Sequence, residues 1–176
     1  MPSGPNLEIQ FMSEQETTST SEGAKPAEQQ FALQKIYLKD TSFETPNSPQ
    51  IFTEQWQPDI NVDLQTGANA VAEGVVEVVL TVTVTAKLGE KTAYLAEVLQ
   101  AGVFTLVGFS DEELTHMRGS YCPSILFPYA REALSDLVGK GGFPQLLLAP
   151  VHFDALLAQH LQQQQGQDSA SEDPVH

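Results

Sequence analysis

The chain has 176 residues, 41% of them hydrophobic, which is enough for one domain with an apolar core. Its 23 acidic and 8 basic residues give a formal net charge of −15 at pH 7, which excludes nucleic acid as a favoured partner because phosphate backbones are anionic. The only cysteine, Cys122, cannot form an internal disulfide, and this is typical of a reducing compartment.

Both ends of the chain are predicted to lie outside a folded domain of residues 31–161. Residues 1–30 lack apolar periodicity and are expected to be disordered, and residues 1–11 have the character of an expression leader or an upstream extension. The Gln-rich, acidic residues 162–176 are expected to form a mobile tail. No apolar run reaches the ~18 residues of a membrane helix, and no secretory signal is recognisable. We therefore expect a soluble, cytoplasmic protein.

Four β-strands are predicted in the first part of the domain. The first covers 31–43, where imperfect alternation indicates a bulge or bend. The second, 59–65, alternates strictly between apolar and polar residues. The third, 74–87, contains V-L-T-V-T-V-T, which places its threonines on one face, and the fourth covers 92–108. The short connections predict an antiparallel meander.

Three helices are predicted after the strands. The S-D-E-E run at 110–113 is typical of an N-cap followed by acidic residues, and it begins a short helix that ends near Gly119. Residues 124–138 form a helix that is apolar nearly all round, and 151–165 form the last helix. This order indicates the α+β class, with helices on one face of a four-stranded antiparallel sheet. Because one sheet face cannot cover an all-apolar helix, we expect it to pack between subunits of a symmetric oligomer.

The sequence carries no convincing catalytic or metal-binding pattern, so we predict no catalytic residues, no metal and no cofactor. No pair of histidines has the i, i+4 spacing of a helical metal site. The G-K-G-G run at 139–142 lacks the spacing of a phosphate loop. A cysteine hydrolase that uses Cys122 and His152 is the remaining enzyme hypothesis, and a buried, inert thiol is the simpler interpretation of Cys122.

One face of the sheet is predicted to be a docking surface. Alternation in the fourth strand puts Tyr94 on the helix side, so Leu95 and Glu97 face water beside the threonines of the third strand. Asp40 and Glu44, near the end of the first strand, can join this face. An exposed leucine among carboxylates suits docking to a basic, partly apolar patch on a partner. An ordinary solvated sheet is the alternative.

Five segments of the sequence resemble the SecB family of protein-export chaperones. They are I-Y-L-K-D-T-S-F-E-T-P-N-S-P, W-Q-P-D-I-N-V-D-L, T-V-T-A-K-L-G-E, S-I-L-F-P-Y-A-R-E and G-G-F-P-Q-L-L-L-A-P-V-H-F-D-A-L. The resemblance covers about Phe31 to Gln165 without obvious gaps. It implies a homotetramer built as a dimer of dimers, with four-stranded sheets outside and long helices packed at the centre.

The resemblance also implies the function and the partners. Members of the family are not enzymes; they hold unfolded precursor proteins in an export-competent state without ATP and deliver them to the SecA motor at the Sec translocon. The family's SecA-docking positions correspond to Asp40, Glu44, Leu95 and Glu97. The mobile C-terminal segment of the family contacts the zinc-binding tail of SecA, and in this chain that segment is Gln-rich.

A client groove with aromatic and aliphatic walls is a further implication of the resemblance. The corresponding positions in this chain are Trp56, Ile60, Val62, Leu64, Tyr94, Phe153 and Leu157. Leu157 and His160 stand where the family commonly has an aromatic residue. A SecB-like chaperone dedicated to an antitoxin or to another specific client is the alternative function.

Overall fold

Four long strands form one antiparallel sheet in a computed structural model of the chain, which describes residues 28–170 and the side chains as far as residue 163. The strands are β1 (Gln30–Glu44), β2 (Asp59–Ala72), β3 (Val75–Leu88) and β4 (Lys91–Val107). Their order across the sheet is β1-β4-β3-β2, and the predicted four-stranded antiparallel sheet is confirmed. Most of the two terminal segments for which we predicted disorder, 1–27 and 171–176, lies outside the described residues.

The predicted meander is wrong for the first strand. Strands β2, β3 and β4 follow one another through tight turns, but β1 pairs with β4 and lies at the opposite edge of the sheet from β2. The connection 45–58 is too long for a hairpin, and it carries the chain from one edge of the sheet to the other. Register shifts in β1, at Leu33/Lys35 and Leu38/Asp40, confirm the predicted bulge.

Alternation in β3 separates two faces of the sheet. The even-numbered residues from Val76 to Ala86 are buried, and the threonines at 81, 83 and 85 lie on the opposite face. We call the buried face the inner face and the other the outer face. Strand β2 is longer than predicted, because residues 66–72 continue to pair with β3. Their sequence, T-G-A-N-A-V-A, is poor in strand-forming residues, so the pairing with β3 determines their conformation.

Helices cover part of the inner face. They are α1 (Asp111–His116), a π turn (Met117–Tyr121), α2 (Cys122–Lys140) and, after the connection 141–152, α3 (Phe153–Ala170). Helix α3 extends beyond the predicted 151–165 and into the segment 162–176 that was assigned to the tail. Within residues 28–170, no helix has the length and apolarity needed to cross a bilayer.

The first three helical elements form one continuous helix. The prediction of separate helices, with a break near Gly119, is wrong because the chain passes from α1 to α2 through the π turn. There the Cys122 N–H donates to the Met117 carbonyl, five residues back, in place of the usual four. Pro123, which has no N–H to donate, directly follows this wider turn.

Helix α2 packs against β4 and β3 and leaves the two edge strands less covered. Its core contacts are made at a spacing of four residues, by the fully buried Cys122, Leu126, Ala130, Leu134 and Val138. On the inner face of β1, Leu33 and Leu38 stay exposed, and on that of β2, Ile60 and Val62 do so. The fold therefore presents apolar surface along both edges of its inner face.

Candidate functional site

An open groove lined by both apolar and polar residues lies between β2 and α3. Its volume is about 580 Å³. Its lining residues come from β2, the π turn and α3, and are Val62, Leu64, Gln65, Thr66, Gly119, Phe153, Leu156, Leu157, Gln159, His160 and Gln163. None of these residues is Asp, Glu, Lys or Arg, although the chain as a whole is strongly charged. The groove can therefore bind apolar side chains without an ion pair.

The groove lies where α2, which packs mainly on β4 and β3, leaves β2 largely uncovered. Val62 and Leu64 point to the inner face, opposite Val84 and Val82 of β3, and α3 approaches them from the side. The first residue of α3, Phe153, is 3% exposed and makes an edge-to-face contact with Phe127 of α2 at a centroid distance of 5.8 Å. This contact anchors the α3 wall on the core.

The structure brings together four of the seven predicted groove residues: Val62, Leu64, Phe153 and Leu157. Ile60 lies on the same face of β2, one inner-face position beyond Val62, and its side chain is exposed. The groove thus has two predicted walls, one from β2 and one from α3.

The other two predicted groove residues, Trp56 and Tyr94, belong to an aromatic cluster around Phe143. Trp56 and Tyr94 lie 5.4 and 5.1 Å from Phe143, centroid to centroid. Tyr94 is 1% exposed, and burial raises its pKa above the ordinary tyrosine value. Tyr94 therefore stacks against Trp56 inside the fold and exposes almost no surface of its own.

Sequence reasoning missed several groove residues. Gln159 and Gln163 follow the wall of α3 at helical spacing, and Leu156 adjoins Leu157. Gly119 was interpreted as a helix end, although a glycine inside an otherwise continuous helical pattern also indicates close packing.

The outer face of the sheet carries the predicted docking residues. Register places Glu44 opposite Leu95, and Ser42 opposite Glu97, so these side chains share one face. Tyr94 is buried on the inner side, which confirms the predicted orientation of Leu95 and Glu97. Asp40 lies opposite Leu99, on the same outer face.

Strand β2 adds two carboxylates that the sequence analysis did not assign to this face. Asp59 and Asp63 lie opposite Lys87 and Thr83 of β3, and therefore point outward. We call the set Asp40, Glu44, Asp59, Asp63 and Glu97 the acidic face. Its members come from three of the four strands, β1, β2 and β4, so only the assembled sheet creates it.

A hydrogen-bonded cluster centred on Glu77 occupies the other half of the outer face. Lys39 Nζ lies 2.7 Å from Glu77 Oε2, the Tyr37 hydroxyl donates to Glu77 Oε1, and Asn69 Nδ2 lies 3.4 Å from Oε2. The bonds from Lys39 first, and then from Tyr37, hold the pKa of Glu77 below its ordinary value. The cluster joins β1, β3 and β2 across β4.

The candidate nucleophile is poorly suited to catalysis. Cys122 is completely buried, and burial raises its pKa to about 12. A thiol in that state holds almost no thiolate at neutral pH, which a nucleophile requires. In the part of the chain from 28 to 170, no group of three or more His, Cys, Asp or Glu side chains is arranged to hold a metal.

Comparison with known proteins identifies the family. The family described as "Preprotein translocase subunit SecB" matches residues 24–164. The chain belongs to the SecB family. Two similar SecB relatives, each named a protein-export protein, come from Methylococcus capsulatus and Nitrosococcus oceani. The first is 57% identical over 147 residues, which are 84% of this chain and 95% of the relative. The second is 59% identical over 153 residues, 86% of this chain and 92% of the relative.

The fold of the SecB family also appears in a solved structure. A SecB-like chaperone of Mycobacterium tuberculosis, in complex with a ChAD peptide from the HigA1 antitoxin, matches with a TM-score of 0.58 and 18% identity. The match covers 69% of this chain and 90% of the other. At this identity the likeness shows the fold alone, whereas the identities to SecB protein-export proteins favour the export function over an antitoxin-dedicated one. The resemblance to SecB is confirmed.

Proposed function

We propose that the chain is an ATP-independent chaperone that holds precursor proteins unfolded for export and passes them to the SecA motor. The observation that carries this proposal is the uncharged, open groove between β2 and α3. A chaperone of many unfolded clients needs exposed apolar surface and has no use for sequence-specific hydrogen bonding. The family membership, over residues 24–164, supports the export pathway as the setting.

The groove can provide useful affinity from reversible contacts. Each apolar side chain that is fully buried contributes about 1.5–3 kcal/mol. A few such contacts in one groove, repeated in several subunits, give strong binding through avidity although each contact is weak. The net charge of −15 limits self-association of this apolar surface and favours basic stretches of a client.

The acidic face is the proposed SecA-docking surface, in which Asp40, Glu44 and Glu97 act together with the neighbouring Leu95. Leu95 provides an apolar contact, and the carboxylates around it attract a basic patch. Because this face lies on the outer side of the sheet, α2 and α3 do not cover it. The C-terminal segment, whose last residues lie outside the described part, is proposed as a second contact with SecA.

We further propose that the chain assembles as a homotetramer, a dimer of dimers, in the cytoplasm. Tyr121 and Tyr129 stay exposed along the outward side of the long helix, and Leu33 and Leu38 stay exposed on the inner face of β1. Packing of a second copy would bury these residues together, as a symmetric interface requires. Native mass spectrometry tests this assembly, and a monomeric mass at micromolar concentration would contradict it.

Client binding is tested with one precursor in two states. A slow-folding, fluorescently labelled precursor is diluted from denaturant into the protein, either at once or after it has folded. We expect tight binding only of the unfolded form, and no effect of added ATP. Equal affinity for the folded and unfolded forms would refute the proposed function.

A further inference from the structure

Gly119 occupies an unusual position for a glycine. It lies at the centre of the π turn, inside the continuous helix from Asp111 to Lys140. Apart from proline, glycine is the least favourable residue inside a helix. Its backbone is not among those with positive φ, so no left-handed conformation requires glycine here. The reason for a glycine must therefore lie in packing.

The packing partner of Gly119 is Leu157 of α3. A Cβ atom placed on Gly119 would lie 2.7 Å from Leu157 Cδ1, 3.3 Å from Cδ2 and 3.4 Å from Cγ. The leucine side chain thus rests directly on the glycine backbone. Both residues line the groove, so this contact fixes the position of α3 relative to the π turn.

Polar contacts beside Leu157 also hold α3 close to the π turn. In the first turn of α3, Asp154 Oδ1 accepts a hydrogen bond of 2.5 Å from the buried Ser120 hydroxyl, and His116 Nε2 lies 2.8 Å from the same oxygen. Ser120 directly follows Gly119 in the π turn. Of all elements, the π turn makes the most extensive contact with α3, so α3 is held mainly at its N-terminal end.

We propose that Gly119 is a positioning residue, which sets the depth of the groove by admitting Leu157 against the helix backbone. This inference rests on the proposed client groove. A methyl group at 119 displaces Leu157 towards the groove that both residues line, and so reduces the room for client side chains. The size of residues 119 and 157 together then determines which apolar side chains the groove accepts.

The test compares Gly119→Ala with Gly139→Ala. Gly139 lies in the same continuous helix, and a Cβ atom there meets nothing within 4 Å, so this control adds a methyl group without a clash. We expect Gly119→Ala to weaken the binding of a labelled, unfolded precursor at least threefold relative to Gly139→Ala. In a Leu157→Ala background, Gly119→Ala should have no larger effect than Gly139→Ala. An unchanged affinity, or the same loss in both backgrounds, would overturn the proposal.

Hydrogen exchange separates this proposal from the chaperone function. Gly119→Ala should accelerate amide exchange in residues 154–163 of α3, and Gly139→Ala should not. This measurement needs no client. It therefore tests whether the Gly119–Leu157 contact holds α3 in place even if the wild-type protein were to bind no unfolded precursor. Should Gly119→Ala fail to fold, Leu157→Ala removes the same contact from the other side and should accelerate the same amides. Unchanged α3 exchange in the folded variants refutes the inference.

Discussion

Thr83 and Glu97 are joined across β3 and β4 by a hydrogen bond, in which the threonine Oγ1 donates to the carboxylate Oε2 at 2.7 Å. The two residues are direct register partners on the outer face. The bond orients the Glu97 carboxylate beside Leu95 without neutralising its charge. A threonine of the third strand thus fixes the orientation of a carboxylate that we propose to dock the motor.

Reversing the charge at Glu97 should weaken SecA binding. We expect Glu97→Lys to reduce the affinity at least about tenfold, because a lysine would oppose the basic patch that the acidic face attracts. The measurement is titration of the purified motor by calorimetry at low ionic strength. The matched control is Glu73→Lys, an equal charge change in the exposed turn at the other end of the sheet. Equal losses in both variants would indicate a general charge effect and reject the assigned surface.

A carboxylate in the groove should weaken client binding. Val62 is 38% exposed and lines the groove, so Val62→Asp would force a client to desolvate a charge, and we expect at least about tenfold weaker binding. Val71 lies on the same strand, is 60% exposed and does not line the groove, so Val71→Asp serves as the control. Fluorescence anisotropy with an unfolded precursor measures both. If Val71→Asp weakened binding as much as Val62→Asp, the client would not sit where we place it.

The Glu77 cluster should make stability depend on pH. Glu77 is 12% exposed, and its bonds to Lys39 and Tyr37 hold its pKa down in the folded protein. The contribution of Glu77 to the free energy of unfolding is therefore complete above its unfolded pKa of about 4.3. It is lost as the pH falls through the lower pKa of the folded state. We expect Glu77→Gln to cost about 1–2 kcal/mol of unfolding free energy at pH 7.

Urea unfolding between pH 7 and pH 3.5 measures this difference. The difference in unfolding free energy between wild type and Glu77→Gln should be constant near pH 7 and decrease below about pH 4.3. Glu54, which pairs with Lys91, is more exposed than Glu77, so Glu54→Gln should change stability by less than about 1 kcal/mol. A gap that does not vary with pH would show that the charge of Glu77 is not the stabilising feature.

Cys122 should be inert in the folded protein. Its pKa of about 12 and its complete burial predict that iodoacetamide at pH 8 alkylates it at least about a hundredfold more slowly than in urea. Mass spectrometry of the intact chain follows the reaction. Cys122→Ser should keep client binding while costing about 1–3 kcal/mol, because it buries a hydroxyl in an apolar site. Rapid, stoichiometric alkylation without denaturant would revive the hydrolase hypothesis.

The sequence predicts best where local pattern and tertiary environment agree. The alternation of valine and threonine in β3 specifies both faces of a central strand, and the apolar spacing in α2 specifies its core contacts. Residues 66–72 lack such a pattern, and only pairing with β3 makes them a strand. Likewise, the position of β1 beside β4 depends on a long connection, which local propensity does not determine.

The candidate site also has parts that local pattern predicts and parts that depend on the tertiary arrangement. The outward orientation of Leu95 and Glu97 follows from alternation alone. The contribution of Asp63 to the acidic face requires the strand order. The contact between Gly119 and Leu157 depends on how α3 returns to the π turn, and no local signal distinguishes a packing glycine from a helix end.

Val62 and Asp63 are neighbours in sequence, yet one points into the groove and the other belongs to the acidic face. A single peptide unit therefore separates the proposed cargo side of the sheet from the proposed motor side. Since the two sides are back to back, a protomer can carry its cargo while the motor is already engaged, and neither has to leave before the other arrives. Transfer can then proceed inside a ternary complex, in which the proposed motor is already bound when a cargo segment detaches.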